Sequence, residues 1–180
     1  MWYNISIKFT EETQLIYVTG DTHGDISRFK EPGMKKLRSG DTLIICGDFG
    51  FFWDGSRKEQ SIIKKLASKN YTIAFVDGCH ENFDILEKYP VTEWNGGKAR
   101  IIAGNIVHLM RGQVYTIEGK KIFAFGGGHS QDFEFRHDSE WWEREQPSHD
   151  EIREGLANLE ANNNTVDYII THEPPASLKD

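Results

Sequence analysis

Three short apolar runs constrain the fold of this chain more than any other feature: "LIYVTGD" (15–21), "TLIICGD" (42–48) and "TIAFVDG" (72–78). Each is rich in β-branched residues and closes on glycine and aspartate. A strand with one wet face alternates apolar and polar residues. An unbroken apolar run instead reads as a strand buried on both faces, as in a parallel sheet covered by helices. Helical patterns fall between the runs. "ISRFKEPGMKKLR" (26–38) is split by Pro32 and Gly33 into two short pieces. "RKEQSIIKKLASK" (57–69) sets Ile62, Ile63 and Leu66 on one stripe, and "ENFDILEKY" (81–89) offers a short helix. Strands alternating with helices define an α/β class.

The second half of the chain changes character. "NIVHLM", "QVYTIEG" and "KKIFAFGGG" suggest consecutive antiparallel strands, with a hairpin at "EGKK". Ser148 and Glu151 form a capping box that opens a helix through "IREGLANLEAN". "VDYIITH" then resumes the buried-strand pattern, and near the N-terminus "NISIKF" alternates like a half-buried strand. No repeat or low-complexity linker interrupts the 180 residues. The expectation is one domain over residues 1–180, with two sheets packed face to face and helices outside.

Charge narrows the function classes. A net charge of −7 provides no basic field for polyanions, which argues against a general nucleic-acid or membrane-surface binder. A phosphorylated substrate stays open, because bound metal supplies local positive charge. Two cysteines, Cys46 and Cys79, make no disulfide framework. No apolar run approaches the length of a membrane span, and "MWYNISIKFTEETQ" lacks the layout of a signal peptide, so the expected location is cytoplasmic.

In open α/β sheets, ligands bind beyond the carboxyl ends of the strands. Four such ends carry unusual chemistry here: "GDTHGD" (20–25), "GDFG" (47–50), "GCHEN" (78–82) and "THEPP" (171–175). They would bring Asp21, His23, Asp48, Cys79, His80 and His172 to one rim, with the preceding glycines allowing close approach. One aspartate after a strand is ordinarily a cap or turn residue. Four strand ends repeating the pattern point to metal instead. Carboxylate with imidazole suits borderline ions such as Mn, Fe, Zn or Co. Asp48 could bridge two ions, and paired ions about 3.5–4 Å apart clamp a phosphoryl group and generate hydroxide at neutral pH. His80 would then be left to assist the departing oxygen.

Taken in order, these motifs resemble those of the calcineurin-like metallophosphoesterases. That family carries D-x-H, G-D-x-x, G-N-H-[DE], a later lone His, and finally G-H-x-H. "GGGHSQDFEFRHDSEWWEREQPS" (126–148) also resembles a stretch in bacterial and phage members. The resemblance implies an αββα sandwich of two mixed β-sheets flanked by helices. It also implies a binuclear centre of divalent ions (Mn, Fe or Zn) that hydrolyses a phosphate mono- or diester through a metal-bound hydroxide. Asp21, His23 and Asp48 match ligands of the first ion, with Asp48 as the bridge. His172 matches a ligand of the second ion, and His80 matches the histidine that assists the leaving group.

Two departures stand out. Cys79 occupies the position of the family's Asn ligand, and a thiolate there would bias the second site towards softer ions such as Zn. The seven histidines are 23, 80, 108, 129, 137, 149 and 172, and no H-x-H occurs among them. The family's last motif gives one ligand to each ion. The resemblance therefore reads as a C-terminally truncated member with at most one well-held ion, on Asp21, His23 and Asp48. The alternative to a working hydrolase is a member that has lost turnover and serves as a metal-binding or interaction domain.

The remaining polar positions read as structural. His108 alternates within a strand, His129 hydrogen-bonds locally, and His137 and His149 are solvated. Of Trp141 and Trp142, one is expected to anchor its loop on the core; the competing reading stacks a planar group such as a nucleobase. Asp132 and Arg136 either pair with each other or leave Arg136 facing a substrate phosphate.

Overall fold

Parallel pairing organises the first half of the chain. The structure is a computed structural model that describes residues 14–129 and 142–174. Strands β1 (Ile16–Thr19), β2 (Thr42–Cys46) and β3 (Thr72–Val76) lie side by side and parallel. The sheet continues through β4 (Val91–Trp94), β5 (Gly97–Ala103) and β6 (Ile106–Leu109) in the order β1-β2-β3-β6-β5-β4. β6 runs parallel to β3, and β5 and β4 return antiparallel. A smaller mixed sheet holds β7 (Gln113–Ile117), β8 (Lys120–Phe125) and β9 (Tyr168–Thr171), with β8 antiparallel to β7 and parallel to β9.

The sheets stack through Ile44, Ala74, Val76, Val107 and Leu109 on one side and Tyr115, Ile117, Ile122, Ala124 and Ile170 on the other. Along β2 and β3 the side chains alternate between this layer and an outer one. Leu43, Ile45, Ile73 and Phe75 pack beneath Leu66 of α1 (Arg57–Ala67) and Phe83 and Leu86 of α2 (Phe83–Leu86). Fully burying each such side chain contributes about 1.5–3 kcal/mol. α3 (His149–Ala161) lies against Phe123 and Phe125 on the outer face of the small sheet. The layers therefore run helix, sheet, sheet, helix. Among the described residues no helix is long and apolar enough to cross a membrane.

Most expected elements form where they were placed. The capping box of Ser148 and Glu151 is present, residues 26–38 become two 3₁₀ turns, and Glu118 and Gly119, both at positive φ, turn the β7–β8 hairpin. Two expectations need correction, and one hairpin was missed. β6 does not join the β7–β8 meander; it pairs with β3 in the large sheet, because Ile106, Val107 and Leu109 find apolar neighbours on both faces there. β1 and β9 are edge strands, with Val18 56% and Ile169 64% exposed, because an apolar run reports composition and not its number of neighbours. The β4–β5 hairpin was not anticipated, although its turn is Asn95-Gly96, both at positive φ, the strongest short hairpin signal. "NISIKF", Asp132, Arg136, His137 and Trp141 lie outside the described residues. Trp142 anchors its segment, meeting Trp53 edge-on at 5.5 Å and donating its indole N–H to Asp84.

Candidate metal centre

All four strand ends meet at one rim. β1, β2 and β3 deliver Asp21, His23, Asp48, Cys79 and His80 from the large sheet, and β9 delivers His172 across the sandwich from the small one. The turns after β1 and β2 are laced together. Thr22 and His23 both donate backbone N–H to the Asp48 carbonyl, and the Thr22 hydroxyl donates to the Phe49 carbonyl. His23 and Asp48 sit at φ 45 and 46, a region that residues other than glycine seldom occupy, and such outliers gather at functional sites.

Asp48 lies at the centre, 2% exposed. Its Oδ1 accepts the His80 backbone N–H at 2.8 Å, and its Oδ2 accepts the His80 Nδ1–H at 2.9 Å. His23 Nε2 is 3.6 Å from Oδ2, and His172 Nε2 is 3.7 Å from Oδ1. Cys79 Sγ stands 4.0 Å from Asp48 Oδ2, 3.9 Å from His172 Nε2 and 3.4 Å from His80 Nδ1. The Asp21 carboxylate is 3.7 Å from His23 Nε2 and 3.6 Å from His172 Nδ1. Two triads of candidate ligand atoms result, His23–Asp48–His80 and Asp48–Cys79–His172, each with its atoms within 4.8 Å of one another. Asp48 belongs to both.

Two glycines make this closeness possible. A Cβ on Gly78 would fall on the Asp48 carboxylate, and one on Gly47, at φ 95, would fall on the His172 ring. The glycine before Asp21 has no such role, since Gly20 faces open space. Gly47→Ala is expected to cost about 1–2 kcal/mol for the left-handed backbone alone. It should also push His172 out of the cluster. Urea unfolding and the affinity for a divalent ion check the two effects separately.

The electrostatics follow from crowding. Burial pushes the Asp48 carboxyl up, but the His80 hydrogen bond and the His172 charge outweigh it and hold its pKa below the usual value. His80, bonded to Asp48 and Cys79, is raised to about 10. For His172 burial acts downwards, yet the Cys79 contact, the Cys46 carbonyl and the Asp48 and Asp21 carboxylates raise it to about 9. Burial also opposes ionisation of Cys79, and hydrogen bonds from His172 and His80 reverse the balance and lower the thiol pKa. Without metal, protons stand where cations would bind.

These residues fit divalent ions. His172 donates Nδ1–H to the Cys46 carbonyl at 2.9 Å, which leaves Nε2 directed at Asp48 and Cys79 as a ligand atom. Tetrahedral bonds of about 2.0–2.3 Å place neighbouring donors about 3.5 Å apart; Cys79 Sγ and His172 Nε2 stand 3.9 Å apart, and all three donors of the second triad lie within 4.8 Å of one another.

Sequence reasoning did not single out the supports of the site. Glu81 is fully buried and accepts the backbone N–H groups of Phe49 and Gly50. Burial, aided by Asp48 and Asp77, raises its pKa well above the usual carboxylate range against the pull of those two donors. Asp77, two residues before Cys79, accepts from His108 Nε2 at 2.9 Å and from Arg111 Nε at 2.7 Å. The signal available was a carboxylate ending a fully apolar run, "TIAFVDG". His129 bonds Gln146 and Glu173, 17 and 44 residues away and not local as expected, whereas His149 is exposed as expected.

Two mixed sheets between helices, with carboxylate, imidazole and thiol groups gathered beyond their strand ends, describe the metallophosphatase class of α/β sandwich. The family model described as calcineurin-like phosphoesterase matches residues 15–178, and the chain belongs to that family. Its members generally bind divalent metals. No curated protein and no solved structure matches the chain.

Proposed function

We infer that this chain hydrolyses a phosphate mono- or diester with the help of divalent metal ions. The observation that carries the reading is Asp48, one buried carboxylate shared by two triads of candidate ligand atoms. Bound ions would supply hydroxide at neutral pH and offset charge on the phosphoryl oxygens.

The protein's part is placement. Asp48 turns Oδ2 to His23, His80 and Cys79 and Oδ1 to His172, and so faces both triads. Asp21, beside His23 Nε2, adds an oxygen to the first triad, which releases His80 from ligation. The His80 side chain is one-third exposed, so substrate can reach it. It carries a proton at neutral pH in the metal-free protein and can pass one to the departing alkoxide. His172 and Cys79 complete the opposite side.

The test is hydrolysis of an aryl phosphate monoester and of a bis-aryl diester after loading with Mn, Co or Zn. Turnover of at least one ester, stopped by a chelator and restored by metal, is expected. Metal binding without turnover of either ester would favour the metal-binding domain instead.

A further inference from the structure

The two cysteines differ in what they touch. Cys46 turns its side chain against the core between the sheets and contributes only its carbonyl to the site, as the acceptor for His172. Cys79 places its sulfur among ligand atoms, 3.9 Å from His172 Nε2 and 4.0 Å from Asp48 Oδ2. The opposite side, where His23 and Asp48 have Asp21 beside them, offers only nitrogen and oxygen. One carboxylate therefore joins two unlike donor sets.

Unlike donors select unlike ions. Thiolate ligands favour zinc-class ions, whereas imidazole and carboxylate alone also accept manganese and iron. The sulfur side is the more enclosed, with Cys79 8% exposed and the His172 side chain 10%, against 52% for His23. Exclusion of water raises the weight of the ligand atoms themselves in choosing the ion.

We propose that Cys79 is a metal ligand and that, with Asp48 and His172, it makes the second position selective for a thiophilic ion, so that the centre takes two different metals. The proposal rests on the metallophosphoesterase reading and adds to it a division of labour between the positions. A neutral amide at residue 79 would leave two nitrogen–oxygen sites of similar preference.

Cobalt chloride added to the metal-free full chain tests this directly. Thiolate ligation gives a sulfur-to-cobalt charge-transfer band in the near ultraviolet. The band should be present in the wild type and absent in Cys79→Ser, whose visible ligand-field bands from the other position persist. Competition in equilibrium dialysis should show zinc favoured over manganese at one position, with that preference falling about tenfold or more in Cys79→Asn. Cobalt bound without the charge-transfer band would overturn the thiolate ligand and leave the metal-centre reading standing. Failure to bind cobalt at all would overturn both.

Discussion

Asp48→Asn should reduce phosphoester hydrolysis by at least the 10²–10³-fold that loss of one preorganised electrostatic group costs, while leaving the fold intact. The two effects separate because of how Asp48 is bonded. The asparagine carbonyl can still accept the His80 backbone N–H that Oδ1 accepts at 2.8 Å, and the side chain keeps its volume in a fully packed position. What disappears is the anionic oxygen facing His80 and His23, and with it a carboxylate common to both triads. A second readout needs no turnover. The Asp48 carboxylate is the first cause of the raised His80 pKa of about 10, so in metal-free Asp48→Asn that pKa should fall towards the ordinary imidazole value of about 6.5. An NMR titration of His80 measures it. Unchanged hydrolysis together with an unmoved titration would remove Asp48 from the centre of the site.

How much of this was legible beforehand varies from residue to residue. β2 and β3 could be read because they are buried on both faces, which an unbroken apolar run states directly. The same run at β1 and β9 misled, because Val18 and Ile169 are apolar residues left on edge strands. The ligand candidates were legible because each directly follows a strand end, where chain order fixes position. The bonds that orient them were not. His172 meets the Cys46 carbonyl across 126 residues of sequence, and Glu81 meets the Phe49 N–H across 32. No local pattern encodes such a pairing. Arg111 is a similar case: alone in "LMRGQ" it looks like an ordinary turn residue, yet its side chain is 4% exposed and packed against Asp77.

That pair gives the largest expected loss of stability. Asp77→Ala should cost about 3–5 kcal/mol, the usual penalty for stranding one half of a buried ion pair and a large share of the 5–15 kcal/mol that holds a typical domain together. The Arg111 guanidinium donates to Asp77 Oδ2 through Nε at 2.7 Å and Nη2 at 2.5 Å, and it also reaches the Arg144 and Glu145 carbonyls and Glu151 on α3. It thereby ties the end of β3 to the segment that opens α3. With Asp77 truncated, the partly exposed Glu151 carboxylate is left facing the guanidinium at 3.3 Å. Removing the buried charge as well, in Asp77→Ala with Arg111→Met, should recover part of the loss, since the penalty belongs mostly to the stranded cation. Acid offers an independent check. Burial pushes the Asp77 carboxyl up, but Arg111 and His108 outweigh it and hold its pKa far below the ordinary 3.8. A depressed carboxylate contributes stability that is present above its unfolded pKa and lost as pH falls from there towards the folded value. Wild-type stability should therefore drop below about pH 4 by an increment that Asp77→Asn lacks. Urea unfolding at neutral pH and again in acid measures both. If Asp77→Ala lost under about 1 kcal/mol, the pair would have no more weight than a surface salt bridge, and Cys79, two residues on, would be held in place by something else.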